Sequence, residues 1–211
     1  MFNPFHVNTY VLSDESKDCL IIDPGCSDGV ESLELTDYLK DNDLKPVRVL
    51  LTHTHIDHVI GCNAVEELLN LKPEAHQAGM VFLDHSTQTA ATYGLPLDRN
   101  PVVEKYLNEG EDITFGNSKL EVLYTPGHAD GSVCFLSRED GFVIVGDVLF
   151  QMSIGRTDFP TGDFDILKSS IFDKLFVLPE ETLVYSGHGP ETTIGFEKVN
   201  NPFLKDDNAM Y

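Results

Sequence analysis

A chain of 211 residues is long enough to bury a core without staples and short enough to be one ordinary domain. Its 14 Lys+Arg against 35 Asp+Glu give 14 − 35 = −21, which excludes a surface built to grip a phosphate backbone or an anionic bilayer. With 41% hydrophobic and 23% charged residues it is globular rather than disordered or fibrous. The reading is therefore a single domain over 1–211 with a small-molecule partner, no nucleic acid and no membrane. No apolar run approaches the ~20 residues of a membrane helix. The opening MFNPFHVNTY has no basic or apolar leader region, so no secretory signal is expected. Cys19, Cys26, Cys62 and Cys134 form no CxxC pair, which fits reduced thiols and a cytoplasmic location.

In chain order, VNTYVL (7–12) and CLII (19–22) are β-branched runs around a polar turn and predict a hairpin, which DPG (23–25) ends. Residues 28–42 have near-helical apolar spacing. VRVLL (47–51) predicts a buried strand, THTHIDH a loop, and VIGCNAVEELLNL a helix. MVFL (80–83) is a strand candidate, and a helix is expected from His85 to about Tyr93. Residues 94–110 are rich in loop formers. ITF (113–115), LEVLY (120–124), VCFL (133–136) and FVIVG (142–146) predict strands. DFDILKSSIFDKLFVL (163–178) predicts a helix capped by Asp163, and TLVYSG (182–187) a last strand before a short tail. This order predicts a layered α/β chain with mostly antiparallel strands. The triplet NPF occurs at 3–5 and again at 201–203, which reads as coincidence or terminal packing rather than a repeat.

The chemistry is concentrated in HTHIDH. His53, His55, Asp57 and His58 are nitrogen and oxygen donors suited to zinc, iron or manganese, placed between a strand and a helix. His128 in TPGH, Asp147 in VGDVLF and His188 in SGHG each follow a strand and adjoin a glycine, which permits tight turns. Seven candidate donors at loop positions fit one site better than seven accidents.

The chain resembles the metallo-β-lactamase fold hydrolases, whose signature is HxHxDH followed by a His, an Asp and a last His, each after a strand. The resemblance covers nearly the whole chain, including NTYVL and IIDPG. It implies an αββα sandwich: two mixed, mostly antiparallel sheets face to face, helices outside, and the site at one edge. It implies two divalent metal ions, zinc first, with iron or manganese as alternatives. His53, His55 and His128 would hold one ion, Asp57, His58 and His188 the other, and Asp147 would bridge them. Asp57 and Asp147 would supply the anionic charge around a bridging hydroxide nucleophile. Asp23 of DPG matches the family's early aspartate, expected to orient a ligand imidazole or support its loop. Thr52 and Thr125 are further candidates for loop support, and Cys62 reads as a buried apolar filler. His6, His76 and His85 lack motif partners.

GDVLFQMSIGRTDFPTGD (146–163) and SGHGPETTIGFEKVNNPFL (186–204) resemble the short bacterial glyoxalase II-like, or hydroxyacylglutathione hydrolase-like, group. That resemblance implies hydrolysis of thioesters of the S-lactoylglutathione type. Arg156 matches a basic position in the glutathione-binding loop and is expected to meet a substrate carboxylate. Two departures bear on glutathione itself. The tyrosine expected after Arg156 is replaced by TDFP, and the tail NPFLKDDNAMY lacks the basic helical extension of longer members, offering only Lys198 and Lys205 nearby. Iron-dependent persulfide dioxygenases share the His/Asp pattern and a GRTDF-like segment, and lactonases share the fold; both are alternatives.

Overall fold

The structure is a computed structural model, described for residues 1–205. The end of the tail, 206–211, lies outside the described residues. The expected hairpin is β1 (Tyr10–Ser13) and β2 (Asp18–Ile22), antiparallel with Tyr10 opposite Ile22. Helix α1 (Gly29–Asp41) begins at Asp28, whose carboxylate accepts from the N–H groups of Val30 and Glu31, two donors that a helix start leaves free. β3 (Lys45–Leu50) runs parallel to β2. The helix expected after HTHIDH comes in two pieces, α2 (Ile56–Val59) and α3 (Cys62–Leu69). The break is at Gly61, where any side chain would collide with Cys26 Sγ and the Pro24 carbonyl.

β4 (Pro73–His76) was not expected. MVFL, a strand candidate, is instead helical: α4 (Met80–Leu83), followed by α5 (Ser86–Tyr93). Four consecutive apolar residues carry no readable period, and packing decides. Here Leu83 is buried with Ile56, Val59 and Ala90 beneath the helices. The loop-rich stretch holds a further short strand, β5 (Lys105–Leu107), parallel to β4. The four predicted strands that follow are β6 (Asp112–Phe115), β7 (Ser118–Tyr124), β8 (Val133–Ser137) and β9 (Phe142–Gly146), an antiparallel meander. A small hairpin, β10 (Leu149–Phe150) and β11 (Ser153–Ile154), projects next. α6 (Phe164–Ser170) is capped by Asp163 as expected and widens into a π turn over Ile171–Leu175. β12 (Leu183–Ser186) lies parallel to β9. The short tail is more than an appendage: it holds β13 (Thr192–Thr193) and α7 (Ile194–Asn200).

The strands form a five-stranded sheet, β1-β2-β3-β4-β5, and a six-stranded sheet, β13-β12-β9-β8-β7-β6. Parallel pairing is concentrated in the first sheet, from β2 to β5. Strand alternation sorts side chains into layers. Leu20 and Ile22 point at Phe135 and Ile144 of the other sheet, whereas Cys19 and Ile21 face Leu35 and Leu39 of α1. On the second sheet Val133 and Phe135 face inward, while Cys134 and Leu136 pack toward Leu167 of α6. The result is helix, sheet, sheet, helix, with two dry layers outside a dry centre. Each fully buried Leu, Ile or Phe of these layers contributes about 1.5–3 kcal/mol of transfer free energy. The loops after β3, β7, β9 and β12 open at one edge of the sandwich and carry His53, His128, Asp147 and His188. Among the described residues no helix is long and apolar enough to cross a membrane.

Candidate metal centre

All seven predicted donors meet at this edge. They form three overlapping groups whose donor atoms lie within 4.8 Å of one another: His53, His55 and His128; His53, His58 and Asp147; and Asp57, His58 and His188. Asp147 stands between the two ends. Its Oδ1 is 3.4 Å from His58 Nε2, and its Oδ2 is 3.7 Å from His128 Nε2 and 3.6 Å from His188 Nε2. Asp57 Oδ2 is 3.1 Å from His188 Nε2 and 3.5 Å from His58 Nε2.

The outer nitrogens of His53, His58, His128 and His188 are engaged, which places a proton on each. The Arg156 carbonyl lies 2.7 Å from His128 Nδ1 and the Phe5 carbonyl 3.0 Å from His188 Nδ1. A carbonyl can only accept, so both rings carry their proton on Nδ1. His58 Nδ1 donates to Asp23 Oδ2 at 2.9 Å. The Thr52 hydroxyl gives its proton to Asp23 Oδ2, leaving its lone pair to accept from His53 Nδ1 at 3.2 Å. Four Nε2 atoms therefore face one cavity, and His55 adds Nδ1, 3.0 Å from His128 Nε2.

Several of these inward atoms have no protein partner. His53 Nε2, His58 Nε2 and Asp147 Oδ1 are buried without a hydrogen bond. Three unpaired polar atoms in one place would cost several kcal/mol in a protein meant to stay that way. Nitrogen lone pairs facing each other beside carboxylates fit divalent cations, so the donor set suits the metals that the motif suggested. The glycines make room: a side chain at Gly187 would strike Asp147 Oδ1 and His58, and one at Gly155 the Asp147 carbonyl.

The electrostatics divide the cluster. Burial, reinforced by neighbouring imidazoles, pushes His53 well below the usual histidine range, and His55 falls to about 3 for the same reasons. Burial also lowers His128. His58 goes the other way. It is completely buried, yet the carboxylates of Asp57, Asp147 and Asp23 around it outweigh burial and raise it well above 6.5. His188 is raised against burial by its hydrogen bond to Asp57 and by Asp147. Burial opposes ionisation of Asp57 and Asp147, but His58 and His188 hold both below the usual carboxylate range.

Asp23 is almost fully buried and accepts from the Thr52 N–H, the Thr52 hydroxyl and His58 Nδ1. Its backbone is left-handed at φ 51°, uncommon for a residue with a side chain. Arg156 contributes its carbonyl to His128, while its guanidinium, 64% exposed, forms a fork with the Asp158 carboxylate and lies over the Phe159 ring. Phe82 and Phe159 stand edge-on to His55 at 4.7 and 5.6 Å between ring centres and wall the mouth. Thr125 pairs with Cys134, away from the donors. Cys62 is buried, and the other cysteines are buried and free as well. His76 caps the turn after β4 through Nδ1, and His85 is the residue before α5.

Residues at the chain's ends also hold the site, and the sequence reading did not assign them. The Asn3 amide donates to the carbonyls of Gly25 and Asp57, and the Asn8 amide to those of Ser186 and Gly189. The signal was the NPF echo. In both copies the Asn Oδ1 accepts from the Phe N–H two residues on, Asn3 to Phe5 and Asn201 to Phe203. Each turn frees the Asn amide to reach a distant segment, the Asp57 loop for Asn3 and Ser153 of β11 for Asn201.

Known proteins place this arrangement. The family profile of the metallo-beta-lactamase superfamily matches residues 2–188. The probable metallo-hydrolase YqgX of Bacillus subtilis is 39% identical over 203 residues, covering 95% of this chain and 93% of that one. Hydroxyacylglutathione hydrolase GloC of Haemophilus influenzae is 37% identical over 202 residues, covering 95% and 93%. Among solved structures, BLEG-1 B3 metallo-beta-lactamase superposes with a TM-score of 0.88 at 37% identity, covering 97% of both chains. TTHA1623 in a di-iron-bound form superposes at 0.85 with 36% identity, covering 96% and 97%. ETHE1 from Myxococcus xanthus gives 0.76 and 28%, covering 96% and 81%. The sandwich, the edge cluster and these matches agree over almost the full length, and the chain belongs to the metallo-β-lactamase superfamily.

Proposed function

We propose that the seven donors hold two divalent metal ions, zinc in the first instance, and that the chain is a cytoplasmic single-domain hydrolase of thioesters of the hydroxyacylglutathione type. The observation that carries the metal reading is the set of Nε2 atoms locked inward by Nδ1 partners around unpaired buried atoms. The thioester reading is supported by the Haemophilus influenzae relative, which matches nearly end to end. His53, His55 and His128 form one group, Asp57, His58 and His188 the other, and Asp147 lies between them. When bound, such a pair of ions polarises a carbonyl and lowers the pKa of water to about 7. The chain's own part is placement. Asp57 and Asp147 stay anionic and offset the cationic charge, and Asp23 keeps the His58 proton on Nδ1. Phe82 and Phe159 exclude bulk water beside His55. A thiolate leaves without strong acid help, which fits a mouth lined by rings rather than by a proton donor.

Hydrolysis of S-D-lactoylglutathione by the metal-loaded protein tests this directly, with a β-lactam and a lactone as comparison substrates. Turnover of the thioester well above both comparisons is expected. Absence of thioester turnover with both metals bound would remove this substrate class. The second reading is oxidation of a persulfide on a single iron; a 36% identical structure in a di-iron-bound form supports only that such a site accepts iron. Oxygen uptake on a persulfide by the iron-loaded protein tests it.

Arg156 is proposed to meet the carboxylate of the thiol carrier in exchange for Asp158. Both partners are largely exposed, so the gain is modest. Arg156→Ala should raise KM roughly three- to tenfold and leave kcat within about twofold, because its backbone carbonyl to His128 is kept. A fall in kcat with unchanged KM would exclude that role.

Metal uptake should also be proton-linked, unequally at the two groups. His53, His55 and His128, with lowered pKa, are already neutral at pH 7. His58 and His188, with raised pKa, keep a second proton, on Nε2, to higher pH in the metal-free protein. The second group should therefore release more protons per metal at pH 7 than the first. Affinity at the second group should rise with pH until the raised His58 pKa is passed. The sign for stability is the reverse: in the metal-free protein the His58 contribution is full below about 6.5 and is lost as pH rises through the folded-state pKa. Calorimetric titrations in two buffers of different ionisation heat give the proton count; equal release at both groups would contradict the assignment.

A further inference from the structure

The tail that follows the last donor contains a buried carboxylate that forms no ion pair among the described residues. Glu197 on α7 is fully buried, at 0% exposure. Its Oε1 accepts from the Thr192 hydroxyl at 2.6 Å, and its Oε2 accepts from the Asn201 amide at 2.8 Å and from the Met152 N–H at 3.0 Å. The Asn201 amide also donates to the Ser153 carbonyl at 3.0 Å. Met152 and Ser153 are the far turn and returning strand of the β10–β11 hairpin. Met152 sits there at φ 60°, a left-handed conformation that costs a residue with a side chain and persists only when neighbours hold it. The helix after β13 thus grips the end of the hairpin turn and the first residue of β11 with a hydrogen-bonded buried network.

The hairpin leads within two residues to Arg156. Its carbonyl fixes the His128 proton on Nδ1, and Gly155 between them lies against the Asp147 backbone. A shift of the turn would move the Arg156 carbonyl relative to His128 Nδ1. With that acceptor misplaced, the ring is free to rotate or to carry its proton on Nε2, the atom turned toward His55 and Asp147.

We propose that Glu197 and Asn201 are positioning residues for the metal centre, acting through the β10–β11 hairpin and the Arg156 carbonyl on His128. The proposal rests on the two-metal reading. It assigns the tail a role confined to one group of donors, since His58 and His188 are oriented by Asp23 and Phe5 instead.

The experiment uses the full chain and the variants Glu197→Ala, Asn201→Ala and Glu197→Gln. The first readout is zinc and cobalt affinity at each group by chelator competition. The second is the ring-nitrogen NMR shifts of His128 in metal-free protein, which report its tautomer without metal or substrate. Both Ala variants should lose about 10- to 100-fold in affinity at the His53, His55 and His128 group, with the other group within threefold. They should also show a mixed His128 tautomer. Glu197→Gln should stay within threefold at both groups, because its oxygen can keep Met152 and Asn201 while its amide donates to the Thr192 hydroxyl, which can accept. Should Glu197→Ala fail to fold, Asn201→Ala against Glu197→Gln makes the same comparison.

Ala variants with parental affinity and a parental His128 tautomer would overturn the proposal. So would an equal loss at both groups, or a Gln variant as impaired as the Ala variants. A parent that binds no metal would instead refute the two-metal reading, and the metal-free NMR comparison would still decide whether the tail sets His128.

Discussion

Asp147→Asn should leave a folded protein that holds at most one of its two metal ions and turns over on the order of 10³-fold more slowly, about 4 kcal/mol in the barrier. The size follows from where this carboxylate stands. One oxygen faces His58 Nε2 and the other faces His128 and His188, so its two donor atoms address both ends of the cluster. An amide keeps the shape but replaces one acceptor with a donor and removes the charge. Its NH2 would then either donate to an imidazole nitrogen that a metal needs or point at a cation, and both oppose metal binding. The substituted site also has one anion fewer to offset two dications. Metal content by elemental analysis and thioester turnover should fall together. A variant with two ions and parental turnover would take Asp147 out of the centre.

The second large effect is expected at Asp23, which touches no ion in the proposed arrangement. Asp23→Ala strands three buried donors: the Thr52 N–H, the Thr52 hydroxyl and His58 Nδ1. Each unpaired buried group costs about 1–3 kcal/mol, and some relaxation will recover part, so a loss of about 3 kcal/mol in unfolding free energy is expected. Asp23→Asn separates orientation from stability. Its oxygen can still take the Thr52 N–H, but its amide now donates toward His58. The imidazole must answer with a lone pair on Nδ1 and move its proton to Nε2, the atom needed for a metal. Affinity at the Asp57, His58 and His188 group should drop about 10- to 100-fold, while the melting temperature falls less than in the Ala variant. Denaturant melts and chelator competition on both variants provide the check. An Asn variant that binds two ions as tightly as the parent would show that the carboxylate only supports the loop.

The part of this protein that was legible in sequence is the part whose chemistry is local. HTHIDH places four donors within six residues, and such a cluster announces itself wherever the chain folds. The glycines beside His128, Asp147 and His188 are visible for the same reason, since the turns they permit are short-range. Apolar β-branched strand runs, the near-helical spacing over 28–42 and the Asp163 cap follow from near neighbours, so they too were readable. MVFL was not, because a four-residue apolar run suits either a strand or a helix until Leu83 finds its partners. β4 and β5 were missed because short parallel strands are defined by pairing to distant residues rather than by their own composition.

The ends of the chain show the same division most sharply. The NPF echo was visible, and each copy builds the same turn. Nothing in either triplet, however, says that Asn3 will grip the loop of Asp57, or that Asn201 with Glu197 will hold the hairpin before Arg156. Sequence by itself determined the family and the layered fold and picked out the seven residues that meet at the sheet edge, because residue type and short apolar runs are properties of neighbouring residues. Only the tertiary structure decided which nitrogens face inward, that carboxylates raise the pKa of His58 while burial lowers that of His53, and that Asn3 near the start of the chain holds the loop of Asp57. Those outcomes depend on distances between groups far apart in the chain, and on burial, which no local pattern encodes.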